Sequence, residues 1–453
     1  MKIILPEKVN RIIHTLQEHG FEAYAVGGCV RDSILGRIPD DWDITTSATP
    51  LETKALFART FDTGIEHGTI TVLIDKDAFE VTTYRVDGKY EDSRHPSEVT
   101  FTRSLREDLL RRDFTINAMA YNDADGLVDI FGGMNDLREK TIRCVGDASA
   151  RFGEDALRIL RAVRFAAQLG FEIEEETRNG IIELAPTLAN ISAERIQVEL
   201  IKMLVSPNPA MLQTAYELGI TKVILPEFDA MMTTMQENPH HKYSVGEHTL
   251  KAIEAIRTDK VLRLAMLFHD IGKPIMKKID EKGIAHFKMH DIHGAEMTKQ
   301  ILKRLKFDND TMNKVVRLVQ YHDYRMPAEA KNVRRAMNKI GEDIFPYYLE
   351  VRMADTLAQS EYMQKEKIQN IRDVRTCYEE IVERKECVSL KTLAVTGSDL
   401  IANGMKPGKE IGEVLNKLLE HVIEHPEANE KETLLQIKDC IFRGDRNEYT
   451  EEL

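Results

Sequence analysis

Tryptophan occurs once in 453 residues, at Trp42, and aromatic residues of all kinds make up 7%. That scarcity argues against aromatic base-stacking platforms as the main means of holding nucleic acid. Cysteine is scarce too. Cys29, Cys144, Cys377, Cys387 and Cys440 are scattered, odd in number and free of CxxC spacing, which speaks for reduced thiols in a cytoplasmic protein. No apolar run reaches the roughly 18–20 residues of a membrane span. The opening MKIILPEKVNRIIHTLQEHG turns charged and periodic early, so it reads as a helix, not a signal peptide. There is no internal repeat and no low-complexity linker. Positive charge is also short: the net charge is −13, so any contact with nucleic acid must come from local basic stripes on an acidic protein. Candidates are Arg111, Arg112, Arg138, Lys140 and Arg143, then Arg158, Arg161 and Arg164; outside the motifs, any single one of these charges reads more readily as part of a solvated face.

What is present falls into two textures. FEAYAV, DWDITT, GTITVLI, FEVTTYRV and GLVDIF, between 21 and about 130, are short β-rich runs, with helical patterns at 28–36 and 50–59. After about 145 strand signals largely stop. EDALRILRAVRFAAQLGF has helical apolar spacing, and helices follow to the end, broken at SPNPA, ENPHHKY, GKP and MKPGKE. The length suits about two to four domains.

GGCVRD (27–32) precedes DWD (41–43). Gly27 and Gly28 leave a strand and open a helix, where backbone N–H groups approach a phosphate, and Arg31 adds a charge-assisted contact. On a strand, Asp41 and Asp43 point to one face, which suits Mg²⁺ and two-metal chemistry on a hydroxyl and a pyrophosphate. Glu80 reads as a third metal-side carboxylate or as a strand-end charge. RRDFTINAM holds Arg112, Asp113 and Asn117. In EDALR, Asp155 and Arg158 stand at i and i+3, neighbours on one helical face. A carboxylate only accepts hydrogen bonds and a guanidinium only donates, so the pair suits the amine-beside-ring-nitrogen edge of C and A and not that of G and U. Arg161 and Arg164 continue the stripe toward triphosphate or an RNA end.

These motifs, with HGTITV, DGKYEDSR, RRDFTINAMAYN, RFGEDALRILRAVRFAAQLGF and ISAERIQVEL in order, resemble class II of the polymerase-β-type nucleotidyltransferases: the CCA-adding enzymes and bacterial poly(A) polymerases. The likeness runs nearly continuously over the first 205 residues. It implies an α+β nucleotidyltransferase head with a small mixed sheet, followed by an elongated all-α neck, body and tail. The segments would be 1–145 (head), 146–205 (neck, base recognition), 206–370 (body) and 371–453 (tail). It implies Mg²⁺ at Asp41 and Asp43, and nucleotide contacts from Gly27, Gly28, Arg31, Arg112, Asp113, Asn117, Asp155, Arg158, Arg161 and Arg164. The partners implied are tRNA, CTP and ATP. ALFARTFDTGIEHGTITV lacks the arginine-doubled stretch of the poly(A) polymerases. DGKYEDSR, with Asp87, Tyr90, Asp92 and Arg94, is the loop that CC-adding relatives lack. A full CCA-adding or an A-adding activity remains.

VLRLAMLFHDIGKP ends an apolar helix in His269-Asp270. His248 lies upstream; His290, His293, His322 and Asp355 lie downstream. The order resembles the HD superfamily of metal-dependent phosphohydrolases. It implies His248, His269, Asp270 and Asp355 as a minimal set, with His293 and His322 at the extra positions of two-metal members, and His290 an alternative to His293. Imidazole with carboxylate suits a divalent transition metal. The competing reading is a set of polar residues kept for folding. In the tail, Lys406 and Lys409 flank Pro407-Gly408 before a helix start, a candidate RNA phosphate grip or simply a turn with solvated lysines.

Overall fold

The computed structural model describes residues 2–87, 99–238, 240 and 242–443. Tyr90, Asp92 and Arg94 lie outside them. The chain folds as two units: residues 1–229 with 304–307, and 230–303 with 308–453.

Nine strands are given by the first unit's N-terminal part: β1 Ala23–Val26, β2 Ile44–Thr46, β3 Thr60–Gly64, β4 Thr69–Ile74, β5 Asp77–Thr83, β6 Arg85–Asp87, β7 Val99–Phe101, β8 Met119–Asn122 and β9 Gly126–Asp129. Seven form one sheet in the order β3-β4-β5-β2-β1-β8-β9. It is mixed as expected: β2 runs parallel to β5, while β1 is antiparallel to β2 and β8. Every residue of β1 is buried, so AYAV needs an apolar side chain on both faces, the signature of a central strand. Tyr24, Val26, Tyr84, Leu109, Ala118 and Ala120 pack together beside it. β3, β7 and β8 are additions to the sequence reading. TFDTG is mostly exposed and polar, so it carries no alternating apolar signal.

The periodic stretch after 145 is not one helix. Ala148–Glu154 and Leu157–Leu169 are separate. Asp155 takes an extended backbone (φ −141°, ψ 105°) and its Oδ1 accepts the Leu157 N–H at 3.0 Å. An aspartate that bonds its own downstream backbone competes with helix continuation. Helices dominate the second unit, with a two-residue ladder between Lys278–Ile279 and Ala285–His286. Cys29, Cys144, Cys377 and Cys387 carry free thiols. Among the described residues, no helix is long and apolar enough to cross a membrane.

Candidate active site and candidate metal centre

In the head, backbone bonds zip the glycine turn to the aspartate segment. Val26 N–H donates to Asp43 O at 3.0 Å, and Gly27 N–H donates to Met119 O at 3.1 Å. Gly27 sits at φ +83°, a conformation that costs glycine little. A side-chain carbon there would stand 3.1 Å from Arg112 Nη1, so the turn leaves room for that guanidinium. Asp41 and Asp43 are exposed and lie in the lead-in to β2, not within the strand as expected. Desolvation by surrounding protein pushes the Asp43 carboxyl up; Arg112 opposes this and Asp41 adds to it. One step before the Ile44–Val81 pair of β2 and β5, Asp43 and Glu80 occupy matching register positions.

Arg112 is set from below by Asp108, a fully buried residue that sequence reasoning missed. Asp108 accepts from Arg111 Nη2 (2.7 Å), Arg112 Nη2 (3.4 Å) and Thr45 Oγ1 (3.1 Å). Burial works to raise its pKa, but Arg111 and Arg112 bring it below the usual carboxylate value. Arg31 donates to Asn117 Oδ1 (2.6 Å), Asn117 Nδ2 donates to Asp113 Oδ1 (3.2 Å), and Arg161 Nε donates to Asp113 Oδ2 (2.7 Å). Burial would raise the Asp113 carboxyl; Arg161 and Asn117 hold it at about 2. The guanidinium carbons of Arg31, Arg161 and Arg164 stand 5.0, 5.3 and 3.8 Å from the Phe165 ring centre, within cation–π range. Phe165 was legible only as part of an apolar stripe.

One expectation needs correction and another a change of setting. Arg164 is 7% exposed and paired with Glu199 at 2.6 Å, and burial lowers its pKa to about 10. It is thus a buried, paired cation rather than an open one, and it shares the Phe165 ring with Arg31 and Arg161. Asp155 and Arg158 do not share a helical face, because the helix breaks between them. Asp155 pairs with Arg195 at 2.8 Å, and Arg158 with Glu154 at 2.6 Å.

In the second unit, Ser244 and Glu247 form a reciprocal cap at the start of Val245–Ala255, the helix that carries His248. His269 ends Lys260–Phe268 and His322 ends Asn309–Tyr321. Two helix C-termini, the ends that favour positive charge, thus meet at one point. Each ring places Nδ1 on a backbone carbonyl: His269 on Met266 (2.7 Å), His290 on Phe287 (2.8 Å), His322 on Val319 (2.7 Å) and His248 on Ala358 (3.3 Å). With Nδ1–H donating, each Nε2 keeps its lone pair for a metal. These lone pairs meet in two groups. His248 and His269 Nε2 are 3.2 Å apart, near Asp355 Oδ1 and Asp270 Oδ2 (3.0 Å from His248 and 3.2 Å from His269, respectively). His290 and His322 Nε2 are also 3.2 Å apart, 3.5 and 3.6 Å from Asp270 Oδ1. Lone pairs facing at that distance repel unless a cation lies among them. Each oxygen of Asp270 serves one group, so its carboxylate can bridge two ions. Burial opposes ionisation of Asp270, yet His269 and Lys273 hold its pKa well below the ordinary value. Burial, then repulsion between the two neighbouring imidazoles, pushes His290 down to about 4, which keeps its ring neutral and its Nε2 lone pair available.

His293, expected at the cluster, is exposed, and His290 takes that place. The reason is a close approach. A side-chain carbon on Gly272 would stand 2.2 Å from His290 O, so the glycine after His269-Asp270 brings the start of helix His290–Arg304 against the cluster. His293 comes three residues later and faces solvent. Lys406 and Lys409 are exposed, and Lys409 opens the helix Lys409–Glu424 behind Gly408.

Residues 23–143 match the poly A polymerase head domain, 170–232 an RNA and SrmB-binding site of polymerase A, and 280–437 tRNA nucleotidyltransferase domain 2. The CCA-adding enzyme of Enterococcus faecalis is 35% identical over 94% of this chain and 93% of its own length. This chain belongs to the CCA-adding enzyme family. That of Lactobacillus helveticus is also 35% identical, over 94% and 96%. In fold, the chain is similar to the Bacillus stearothermophilus CCA-adding enzyme in complex with CTP. The TM-score is 0.71 at 30% identity, covering 97% of this chain and 99% of that one. Family membership places the head residues above in a nucleotidyltransferase. The match over residues 280–437 spans His290, His322 and Asp355 of the histidine cluster.

Proposed function

We propose that this chain adds C, C and A to the 3′ end of tRNA from CTP and ATP, without a nucleic-acid template. The observation that carries this is the backbone bond between Val26 and Asp43, which holds the glycine turn, Arg112 and two acidic side chains as one site. Residues 1–145 act as catalytic head, 146–205 as the base-reading neck, 206–370 as body and 371–453 as tail. Family members use divalent metal; the oxygen-only donor set of Asp41 and Asp43 fits a hard ion such as Mg²⁺. That ion supplies activation of the attacking hydroxyl and neutralisation of the departing pyrophosphate. Gly27 and Gly28 let backbone approach the phosphates. Arg112 and Arg31 neutralise them, and Asn117, fixed between Arg31 and Asp113, faces the ribose. Asp155 and Arg158, each anchored by a separate partner, present acceptor and donor to the base edge. Asp43→Ala should lose Mg²⁺-dependent incorporation of labelled CMP while retaining tRNA binding; normal incorporation would move the active site elsewhere.

The bridging position of Asp270 supports a second activity, a metal-dependent phosphohydrolase at His248, His269, Asp270, His290, His322 and Asp355. Mixed imidazole and carboxylate donors fit divalent transition ions, which supply an activated water. A phosphate left on a damaged tRNA end suits this site, because nucleotidyl transfer requires a hydroxyl there.

A further inference from the structure

The cavity over the histidine cluster, about 870 Å³, adjoins a second of about 480 Å³; Gln320, Tyr321 and Lys339 line both. Among the described residues lining the second, Lys299, Arg317 and Lys339 are cationic and none is a carboxylate. In a chain of net charge −13 this is a local reversal of sign. Gly341, at φ +110°, closes it; a side-chain carbon there would stand 2.6 Å from Arg317 Nη1, so the glycine keeps that guanidinium in place. Arg317 has Asp343 at 3.7 Å, with both side chains well exposed, a loose pairing that solvent screens. Asn313, Arg317 and Gln320 recur along one face of Asn309–Tyr321, the helix that ends at His322. Arg317 is thus about 7.5 Å along the axis from His322 of the cluster. At the junction, the Lys339 ammonium stands 4.7 Å from the Tyr324 ring and 5.8 Å from the Tyr321 ring.

We infer that this second cavity holds the backbone of an RNA strand whose terminal phosphomonoester lies at the histidine cluster, with a base against Tyr321 and Tyr324. The inference rests on the phosphohydrolase reading above and adds to it a second cavity that grips the strand upstream of the blocked end, so that a strand binds better there than a free nucleotide. In the reaction, a water oxygen bonds to phosphorus and the phosphorus–oxygen bond to ribose breaks. The ribose oxygen keeps that electron pair and takes a proton from the water, giving hydroxyl-ended RNA and inorganic phosphate. Facing cations suit phosphates upstream of the end, and stacking on tyrosine is indifferent to base identity.

The test compares the full chain with a Lys299→Ala/Arg317→Ala variant, supplied with Mn²⁺, Co²⁺ or Ni²⁺. The substrates are p-nitrophenyl phosphate and a hexanucleotide RNA bearing a 3′-phosphate. The variant should raise KM for the hexanucleotide by about tenfold, the scale of one charge-assisted contact, with p-nitrophenyl phosphate turnover unchanged. Anisotropy of the labelled hexanucleotide on metal-stripped protein should show weaker binding, its salt slope flattened by about one to two. Unchanged KM and anisotropy, or equal loss on both substrates, would overturn the strand-binding cavity. A wild-type chain that hydrolyses neither substrate would overturn the phosphohydrolase reading itself, and the inference with it.

Discussion

Asp155 and Arg158, three residues apart, are held by different partners: Arg195 grips the first at 2.8 Å and Glu154 the second at 2.6 Å. A mutual salt bridge would have spent both groups on each other. Held separately, the carboxylate and the guanidinium are each fixed in place, as the base-reading role proposed for them requires. Asp155→Ala or Arg158→Ala should therefore slow addition and also admit UTP and GTP. A bidentate base contact discriminates by about 1–3 kcal/mol, so misincorporation relative to correct addition should rise by about one to two orders of magnitude. Competition assays with all four nucleotides check this; slower turnover with unchanged selectivity would make the pair purely structural.

Gly272 sets the position of His290 through a contact that no side chain can share. Gly272→Ala should displace the start of His290–Arg304 and empty the His290–His322 half of the cluster. Bound transition metal, measured by elemental analysis, should fall from about two ions per chain to about one. His269→Ala should abolish metal-dependent phosphohydrolysis. Neither variant should alter CCA addition, because the head residues all lie in the first unit. Two ions per chain in Gly272→Ala would refute the split into two groups.

Much of this site was legible in the sequence because its chemistry is local. GGCVRD and DWD carry their glycines, arginine and carboxylates within single short segments, the first directly after β1 and the second directly before β2. Contacts between distant residues were not legible. Nothing in the spacing links Asp108 to Thr45, Arg161 to Asp113 or Arg164 to Glu199, so the buried pairing of Arg164 was not foreseen. The break at Asp155 was hidden by an apolar period that continues across it. His290 and His293 stand three apart at one helix start, and only the packing of Gly272 tells them apart. β3 went unseen because an exposed polar strand has no apolar alternation to detect.

In the tail, Lys406 and Lys409 are exposed around Gly408, at the start of the 16-residue helix Lys409–Glu424. Backbone N–H groups and positive charge coincide there, a suitable grip for tRNA phosphate. Lys406→Ala with Lys409→Ala should weaken tRNA binding and flatten its salt dependence by about one or two released counterions. Addition to a minihelix lacking the outer tRNA arms should change much less. Equal loss on both RNAs, or loss on neither, would remove the tail from RNA binding.

The central claim is that one head performs all three additions. The most direct measurement offers the purified chain three tRNAs, ending before C, after C and after CC, each with labelled CTP or ATP and Mg²⁺. The account predicts CMP incorporation into the first two and AMP incorporation into the third, with none into tRNA that already ends in CCA. AMP incorporation into the third alone, with CTP refused throughout, would contradict it and make the chain an A-adding enzyme.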